Sequence, residues 1–527
     1  MDTFIQRHRN AVIGRLNGFD RLRLRGTMRW LANVGGMLSY LREIRVLLKD
    51  FKEYALSVTD QVRTAIEQVA EAAHRPQMFL QSSSLSKEDL ARRIAERDGI
   101  EEGLICLLSS VEPCFSYEIH KNRETRELEL RGGNFKCKHY YHYWMHPEFG
   151  FMHVRLQTWF PFTVHMCING REWLARQMDR AGIGYTRRDN CFVEVADVQR
   201  AQKLLDHQLH VKWRTMLDRM VRQVSPAHRK VFRACPVDYY WSVDQSEWAT
   251  DVMFRSASVL DRLYPNLLRH GMYALGSQDV LRFLGRRTPS RRCLQHDGIH
   301  NAFKGEVVTD LKGRPEGVRI KHRVNRNSIK MYNKQGSVLR VETTLNDARD
   351  MKVYRAKEGD PQGKKSWRGL RKSVVDFPQR AQVCQAANER YFQSLASAEE
   401  KTPLAQLTEP VCRPVRWKGK RVRSINPLNP DDAALLEAVA RGEFTIRGFR
   451  NRNLRSLLFT RKAGYSRKDI CRQSAAITRK IRLLRAHGLI RKVPHTHRYM
   501  VSDDGRRVLT ALIVARKADT DTLAKAG

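Results

Sequence analysis

The sequence predicts an α+β protein, in which a mixed body with a helical N-terminus and antiparallel sheets precedes a small C-terminal domain. Three observations support this fold class. Apolar residues recur at helical spacing between residues 51 and 73. Strand-like alternation takes over between residues 103 and 169 and returns between residues 303 and 346. Beyond residue 431, helical patterns surround two short strand patterns, which is typical of a separate small domain.

The N-terminal region, residues 1–100, is predicted to be mainly helical. A stripe of apolar side chains follows the segment from Phe51 to Ala73, and His74-Arg75-Pro76 ends it. Ser86-Lys87-Glu88-Asp89 resembles a capping box that opens a helix to about Arg97. The stripe consists of Ala55, Val58, Val62, Ile66 and Val69.

Residues 101–230 are predicted to form an antiparallel sheet followed by helices. Asn169-Gly170 is a turn signal, Arg171–Arg180 is predicted to be a helix on the sheet, and 198–224 is again helical. A second α+β region is predicted for residues 231–398, a basic linker for 399–430 and a last domain for 431–527. The strands predicted for the first sheet are 103–111, 115–120, 127–130, 138–145, 149–160 and 163–169.

The charge of the chain indicates a polyanionic partner. The chain contains 96 lysines and arginines and 56 acidic residues, which gives a formal net charge of +40. Such a field raises the local concentration of phosphates and accelerates encounter with nucleic acid. No apolar run approaches a membrane span, and the first residues, MDTFIQRHRN, have no signal-peptide core. We therefore expect a cytoplasmic protein that binds nucleic acid and no membrane.

The cysteines argue against a metal or disulfide framework. All ten are scattered singly, and no CxxC pair occurs. This spacing excludes a zinc ribbon and an iron–sulfur site of the usual kind, and it favours reduced thiols. The sequence also contains no P-loop, dinucleotide fingerprint, nucleophile elbow or zinc-protease helix, so no nucleotide or organic cofactor is indicated.

The segment from Ser474 to Val501 is the most informative part of the chain. A helix over 472–486 places Ile477, Ile481 and Leu484 on one stripe and a basic set on the opposite side. Gly488 ends this helix, and the strands 489–493 and 497–501 follow, joined by Pro494-His495-Thr496. The opposite side carries Arg472, Ala475, Thr478, Arg479 and Arg482, and no acid occurs between Arg472 and Val501.

Further helices flank this segment. Helical patterns cover 435–441 and 453–459 upstream, and Asp503-Asp504 opens a helix with apolar Val508, Leu509, Leu512 and Ile513. Three helices, a basic exposed helix and a two-stranded basic wing make a winged helix-turn-helix, and the segment resembles the MarR-like winged-helix family. The resemblance implies that the basic helix enters the DNA major groove. The alternative is a solvated helix face. The expected nucleic-acid-binding residues here are Arg472, Thr478, Arg479, Arg482, Arg491, Lys492 and Arg498.

Two further basic segments are candidates for nucleic-acid contact. In the segment from Gly317 to Asn346, three strands would align their polar faces and gather cations on one surface of a sheet. In the predicted linker, RPVRWKGKRVR contains no acid and suits a phosphate-binding arm, with a solvated linker as the alternative. The candidates are Arg319, Lys321, Arg323, Lys330, Lys334 and Arg340 in the sheet, and Arg416, Lys418, Lys420 and Arg421 in the arm.

The same sheet supplies a candidate nucleophile. Tyr332-x-Lys334 followed by Arg340-x-Glu342 is similar to a strand pair in the rolling-circle replication initiators of phages and plasmids. The resemblance implies that Tyr332 nicks DNA and that Glu342 belongs to the catalytic group, together with a divalent metal. A basic binding sheet without catalysis is the alternative, and the chain has no His-apolar-His motif within a strand.

Acidic and histidine clusters are the candidates for metal binding. If residues 244–251 are helical, Asp244, Glu247 and Asp251 share a face and could hold Mg²⁺ or Mn²⁺ for phosphodiester chemistry. Glu306 and Asp310 are a weaker pair of the same kind. In the segment from Lys138 to His146, strand alternation separates His139 from His142, which favours an aromatic sheet strand over a metal site. His153 and His165 form a further candidate pair for metal binding or acid catalysis, with buried histidines as the alternative.

The functional hypotheses follow from the basic body and the separate terminal domain. The first is a DNA-acting protein of a mobile element or replicon, transposase-like or similar to a replication initiator. The alternatives are an RNA-binding ribonucleoprotein component, which the aromatic and basic strands would suit, and a non-enzymatic DNA-binding regulator. The whole chain is also similar to a group of bacterial proteins with the same winged-helix ending. That similarity supports the architecture only, because it assigns no particular activity. The oligomeric state stays open, with a dimer as one option.

Overall fold

Helices and strands are mixed throughout the chain, as expected for an α+β protein. Of the described residues, 43% are helical and 32% lie in strands, so this fold class is confirmed. No helix in the described ranges is both long and apolar enough to cross a membrane. The computed structural model describes residues 2–81, 86–285, 305–314, 317–349, 351–357, 360, 362–397, 404–441, 444, 448–459, 466–494 and 496–517.

The chain folds into two compact units, named here for their positions in the sequence. The central unit consists of Gly14–Met253 and Glu342–Cys384. The terminal unit consists of Met1–Ile13, Phe254–Val341 and Gln385–Gly527. Each unit therefore combines segments that are distant in sequence.

A mainly antiparallel sheet forms the core of the central unit. Buried aromatic and aliphatic side chains pack beneath it, and helices Val34–Glu43, Phe51–Ala72 and Lys87–Arg97 belong to the same unit. The short strand Gln77–Phe79 at the edge pairs in parallel with Gly103–Lys121. In spatial order the strands are Tyr240–Phe254, Val12–Thr27, Val164–Asn169, Gly150–Gln157, Leu128–His146, Gly103–Lys121 and Gln77–Phe79.

The strand Val12–Thr27 corrects the prediction of a mainly helical N-terminal region. Leu22 and Leu24 are buried, whereas Arg21, Arg23 and Arg25 between them are exposed. This two-residue period is that of a half-buried strand, and it was hidden by the helical patterns on either side. The helices predicted for residues 51–73 and 86–97 are confirmed.

The sheet predicted for residues 103–169 is confirmed, with fewer and longer strands. Gly103–Lys121 and Leu128–His146 each merge two predicted strands and pair with each other along nearly their whole length. The helix Gly170–Ala181 agrees with the prediction, and the Asn169 side chain caps it by accepting hydrogen bonds from the amides of Arg171 and Glu172. The long helical pattern after residue 198 is divided into Val198–Gln208 and Trp213–Val224.

A second group of antiparallel strands lies in the terminal unit. Val307–Arg314, Gly317–Val324 and Asn327–Lys334 pair in sequence order, and Val338–Leu345 follows, with its residues from Glu342 onward assigned to the central unit. The predicted sheet at 303–346 is thus confirmed where it is described, while residues 303, 304, 315 and 316 lie outside the described residues. Helices Ala257–Tyr273 and Ser277–Phe283 precede these strands.

The last part of the terminal unit is a helical module with its own hydrophobic core. Ile477, Ile481 and Leu484 are among the core residues, together with Leu435, Leu436, Leu454 and Leu509. Part of the predicted linker belongs to this module, because Val411, Val422 and Ile425 are buried in the same core. The module contains helices Leu404–Cys412, Pro430–Val439, Asn451–Leu458, Arg467–Ala486 and Asp503–Lys517, and the hairpins Val415–Trp417/Lys420–Val422 and Ile490–Lys492/Tyr499–Val501.

Candidate functional site

The helix Arg467–Ala486, called the basic helix below, presents the predicted cationic face to solvent. Ser466 caps its first turn: the Ser466 amide donates to the Asp469 carboxylate at 3.1 Å, and the Asp469 amide donates to Ser466 Oγ at 3.3 Å. The buried side carries Ile477, Ile481 and Leu484, as predicted. All five residues predicted for the opposite side are exposed, namely Arg472, Ala475, Thr478, Arg479 and Arg482.

Hydrogen bonds fix the preceding helix, Asn451–Leu458, against the basic helix. Asn451 Nδ2 donates to the Ser474 carbonyl at 2.8 Å and to Thr478 Oγ1 at 3.0 Å. Arg455 donates to Ser474 Oγ at 3.0 Å. These bonds determine the orientation of Thr478, one of the predicted binding residues.

The second hairpin adds cations beside the basic helix. Gly488, at φ +69°, provides the left-handed turn that was predicted between helix and hairpin. Arg491 and Lys492 are exposed, whereas Arg498 is half-buried. Burial and the positive charges of Arg450 and Arg452 lower the pKa of Arg498. Positive charge is therefore concentrated around the second hairpin. His495, in the predicted turn, lies outside the described residues.

A cavity of about 550 Å³ lies between the basic helix and the two hairpins, and it is called the Trp417 cavity below. The Arg485 guanidinium lies 5.2 Å from the centre of the Trp417 ring, and the Lys418 ammonium lies 5.3 Å from it. None of the described lining residues is acidic. The lining consists of Trp417, Arg450, Asn451, Arg452, Ser474, Thr478, Ile481, Arg482, Arg485, His497 and Tyr499.

The predicted phosphate-binding arm forms the first of these hairpins. Lys418 and Gly419, both with positive φ, form its turn, and Arg416 lies opposite Arg421 across the two strands. The four predicted arm residues, Arg416, Lys418, Lys420 and Arg421, are all exposed. The sequence signal was sufficient to find these cations, but it did not show that Trp417 between them lines a cavity.

The basic sheet of the terminal unit is less open than predicted. The register places Lys321 opposite Lys330 and Arg319 opposite Tyr332, as the aligned polar faces required. Burial and the positive charge of Lys330 lower the pKa of Lys321. Arg323, however, forms an ion pair with Glu306 at 2.7 Å, and Arg319 forms one with Asp310 at 3.2 Å.

The strand Val338–Leu345 corrects the prediction of a continuous cationic surface. All eight residues of Val338–Leu345 are buried, and Arg340 is 0% exposed. Lys334, at the end of the preceding strand, is 8% exposed. Neither cation can act as an exposed phosphate ligand. In a strand with one side open to solvent, alternate residues are exposed and buried. In a strand covered on both sides all residues are buried, so alternation in the sequence does not indicate an exposed face.

The acidic cluster predicted on a helix is not formed, because Tyr240–Phe254 is a strand. Asp244 instead forms an ion pair with Arg25 at 2.8 Å. Asp251 is buried and lies 2.9 Å from the buried Arg171 guanidinium. The structure therefore separates Asp244 from Asp251, and only Glu247 of the predicted three takes part in a carboxylate cluster.

That cluster combines Asp20, Glu247 and Glu342, three residues of the central unit that lie on neighbouring strands. One carboxylate oxygen from each lies within 4.8 Å of the others, so the group could hold a metal ion. Asp20 also accepts a hydrogen bond from Asn190 at 2.7 Å. Sequence reasoning selected Glu247 and Glu342 but missed Asp20, because nothing near it in the chain is acidic or metal-like.

Two arginines lie close to the carboxylate cluster: Arg171 Nε is 3.8 Å from Asp20 Oδ1, and Arg21 interacts with Glu247 and Asp20. Burial acts to lower the pKa of Arg21, but the negative charges of Glu247 and Asp20 are among those that outweigh it, so the pKa is raised. The donor set consists only of carboxylate oxygens, which suits hard divalent cations. Tyr332, the predicted nucleophile, belongs to the terminal unit and is half-buried opposite Arg319.

In the central sheet, His139 and His142 are buried and His146, His153 and His165 are half-buried, which agrees with the alternative to metal binding. Burial lowers the pKa of His142 to about 4 and that of His165 to about 3. The register places His153 opposite Cys167 and His165 opposite Arg155. In the described part of the chain, no group of three metal-donor side chains includes a histidine.

Comparisons with known proteins found no match. No family model, no curated protein and no solved structure is similar to the chain.

Proposed function

We propose that this protein binds nucleic acid, chiefly DNA, and that residues 431–517 form a winged helix-turn-helix whose basic helix enters the major groove. The observation that carries the proposal is the division of the basic helix into two faces. Arg472, Arg479 and Arg482 are exposed on one face, while Ile477, Ile481 and Leu484 on the other are held in the core. Cations on a rigid exposed helix can approach phosphates and base edges together.

The two hairpins support the same proposal. Arg491 and Lys492 are exposed beside the basic helix, where a wing would contact the sugar–phosphate backbone. The hairpin Val415–Val422 adds Arg416, Lys418, Lys420 and Arg421. Thr478 donates to the Ser474 carbonyl at 2.9 Å and accepts from Asn451 at 3.0 Å, so its exposed side chain is fixed and can still accept a hydrogen bond from a base amino group.

Within this proposal, the protein is a mobile-element or replicon protein that is transposase-like or replication-initiator-like. A regulator needs little beyond its binding domain, whereas here a large body accompanies the module, and the whole chain carries a net charge of +40. The module would find a site while the body acts on the strand. A ribonucleoprotein role is the alternative, and nucleic acid that copurifies, treated with DNase or RNase, distinguishes the two.

Binding is tested by fluorescence anisotropy with a labelled duplex over a series of salt concentrations. Arg479→Gln should weaken binding and reduce the slope of log K against log salt by about 0.9 if Arg479 contacts a phosphate. If it reads a base edge, discrimination should fall by about 1–3 kcal/mol on a selected site. Arg516→Gln is the matched control, because it removes the same charge from the last helix, where Arg516 lies 3.4 Å from Glu437. Equal losses in the two variants contradict the proposal.

We further propose that an ion held by Asp20, Glu247 and Glu342 is Mg²⁺ or Mn²⁺ and serves phosphodiester chemistry. The support is the set of three carboxylate oxygens within 4.8 Å of one another. Labelled single- and double-stranded DNA incubated with either metal tests for cleavage. Cleavage that survives Asp244→Asn and is lost in Glu342→Gln supports this role. A covalent protein–DNA band that Tyr332→Phe removes would instead support Tyr332 as nucleophile.

A further inference from the structure

We propose that the Trp417 cavity binds one unstacked nucleotide, with its base against an aromatic ring and its phosphate among the arginines. This inference rests on the proposed function and adds to it, because reading a duplex with the basic helix requires no such cavity. At about 550 Å³, the cavity lies within the range that holds single small ligands, roughly 300–1,000 Å³.

The aromatic walls are held in place by the core of the module. Trp417 and Tyr499 are both half-buried and pack against the core residues, so each ring is fixed at one side while both line the cavity. Rings that are fixed in this way stack on bases with little loss of side-chain entropy. Arg485 now lies over both rings, 5.2 Å from the centre of Trp417 and 5.9 Å from that of Tyr499, so a base that enters the cavity would take its place on one ring.

The charge of the cavity suits the phosphate of a nucleotide. Arg450, Arg452, Arg482 and Arg485 contribute to the lining, and none of its described residues is acidic. The neighbouring Arg498 has a lowered pKa, which burial and the charges of Arg450 and Arg452 cause. Arginines that repel one another in this way gain from an anion bound between them.

Polar atoms beside the cavity are also suited to a ligand. Asn451 Oδ1 and Arg450 Nε are buried atoms without a hydrogen-bond partner in the structure, and both residues line the cavity. Asn451 Nδ2 is occupied by Ser474 and Thr478, so only the carbonyl oxygen of this side chain is without a hydrogen-bond partner. A nucleotide supplies donors, acceptors, a flat ring and a phosphate, and it therefore matches every part of this lining.

Two sources could provide the nucleotide: an unpaired position in a bound polynucleotide, or a free mononucleotide. The cavity opens beside the exposed face of the basic helix, because Thr478 and Arg482 belong to both. A strand held by that face would pass the cavity, so we assign the cavity to an unpaired nucleotide of the bound strand.

The experiment compares three duplexes bound by the full chain: fully paired, with a one-base bulge, and with an abasic bulge. The base in the bulge is 2-aminopurine, whose fluorescence is quenched when it stacks. The wild-type protein should quench it and should bind the base-bearing bulge roughly 5- to 150-fold tighter than the abasic one. Trp417→Leu should remove this preference, whereas Trp417→Phe, which keeps a flat ring, should retain most of it.

The outcomes separate this inference from the proposed function. Equal affinity for the base-bearing and abasic bulges, with no quenching by the wild-type protein, overturns the cavity assignment even if paired duplex is bound tightly. Absence of binding to all three duplexes refutes the proposed function. Titration with AMP then tests whether the cavity binds a free mononucleotide. If AMP binds the wild-type protein and Trp417→Leu abolishes this binding, the cavity takes a free nucleotide. Quenching is measured on the wild-type protein, so the test survives if Trp417→Leu fails to fold.

Discussion

The Arg485 guanidinium lies between two aromatic rings, 5.2 Å from the centre of Trp417 and 5.9 Å from the centre of Tyr499. The two rings belong to different hairpins, and Arg485 belongs to the basic helix. One cation thus connects both hairpins to that helix through cation–π contacts, each typically worth about 0.5–1 kcal/mol at exposed sites.

This relationship predicts different effects for two substitutions of Arg485. Arg485→Lys keeps the charge but loses the flat guanidinium, so we expect weaker nucleic-acid binding with an unchanged salt slope. Arg485→Gln removes the charge as well, and if Arg485 neutralises a phosphate the slope should fall by about 0.9. Anisotropy titrations at several salt concentrations measure both quantities. The prediction is wrong if Lys and Gln variants have the same slope.

The C-terminal module was predictable because its signals are local. Ile477, Ile481 and Leu484 repeat at helical spacing, and Gly488 follows the last turn. Those features depend on neighbouring residues, and the structure confirms each of them. Trp417 gave no such signal, since its role in the cavity depends on segments far away in the chain.

The carboxylate cluster was not predictable for the opposite reason. Asp20, Glu247 and Glu342 are distant in sequence and meet only because their strands are neighbours. The spacing of Asp244, Glu247 and Asp251 fits a helical face, but the segment is rich in Trp, Val and Thr and is largely buried in a sheet. The helical spacing of the three acids was therefore misleading, because burial in the sheet makes this segment a strand.

The buried ion pair between Arg171 and Asp251 should be essential to the central unit. Their side chains are 0% and 1% exposed, and Arg171 also donates to the Ala249 carbonyl at 3.4 Å. Arg171→Met leaves the Asp251 carboxylate buried without this cation, so we expect a loss of about 3–5 kcal/mol in the free energy of unfolding. Urea denaturation followed by circular dichroism measures this loss.

An exposed arginine provides the control for that substitution. Arg349 is 79% exposed and pairs with Asp347 at 2.5 Å. Because solvent screens such a pair, Arg349→Met should cost far less than Arg171→Met. Similar losses for the two variants would show that the buried pair has no special role. Recovery of stability in Arg171→Met/Asp251→Leu would confirm that the loss comes from removing this cation from beside a buried carboxylate.

The buried histidines predict a loss of stability in mild acid. Burial lowers the pKa of His142, His146 and His153 to about 4 and that of His165 to about 3. In the unfolded chain these groups titrate near 6.5, so the unfolded state binds protons first. The stability due to the neutral rings is complete above pH 6.5 and falls as the pH decreases towards 4. Thermal unfolding between pH 7 and 4 should show this decline.

His142 offers the most direct test of this cause. It is completely buried, and neither ring nitrogen has a side-chain partner. The free energy of unfolding depends on pH because the unfolded chain binds one more proton at His142 than the folded protein does. His142→Leu should therefore reduce the slope of this free energy against pH by about 1.4 kcal/mol per pH unit between the two pKa values. His120→Leu, at an exposed position on the strand Gly103–Lys121, serves as the control. If His142→Leu leaves the slope of the unfolding free energy against pH unchanged, other groups cause the loss of stability in acid.

Divalent metal should stabilise the central unit through Asp20, Glu247 and Glu342. A divalent cation held by these three carboxylate oxygens, which lie within 4.8 Å of one another only in the folded chain, would bind the folded state in preference to the unfolded state. With metal roughly 100-fold above its Kd, the free energy of unfolding should rise by about 2.7 kcal/mol. Thermal shift assays with Mg²⁺, Mn²⁺ and Ca²⁺, before and after chelation with EDTA, measure this rise.

Substitutions on a single strand distinguish a metal site from a general effect of salt. Glu247→Gln removes one carboxylate from the set of metal donors, so it should lower the metal-induced shift. Asp244→Asn lies three residues away on the same strand, where Asp244 pairs with Arg25. Alternation along the strand puts it on the other face, and its metal response should equal that of the wild type. If the metal shift is the same in both variants, these carboxylates do not hold the ion, and neighbouring arginines such as Arg21 neutralise them instead.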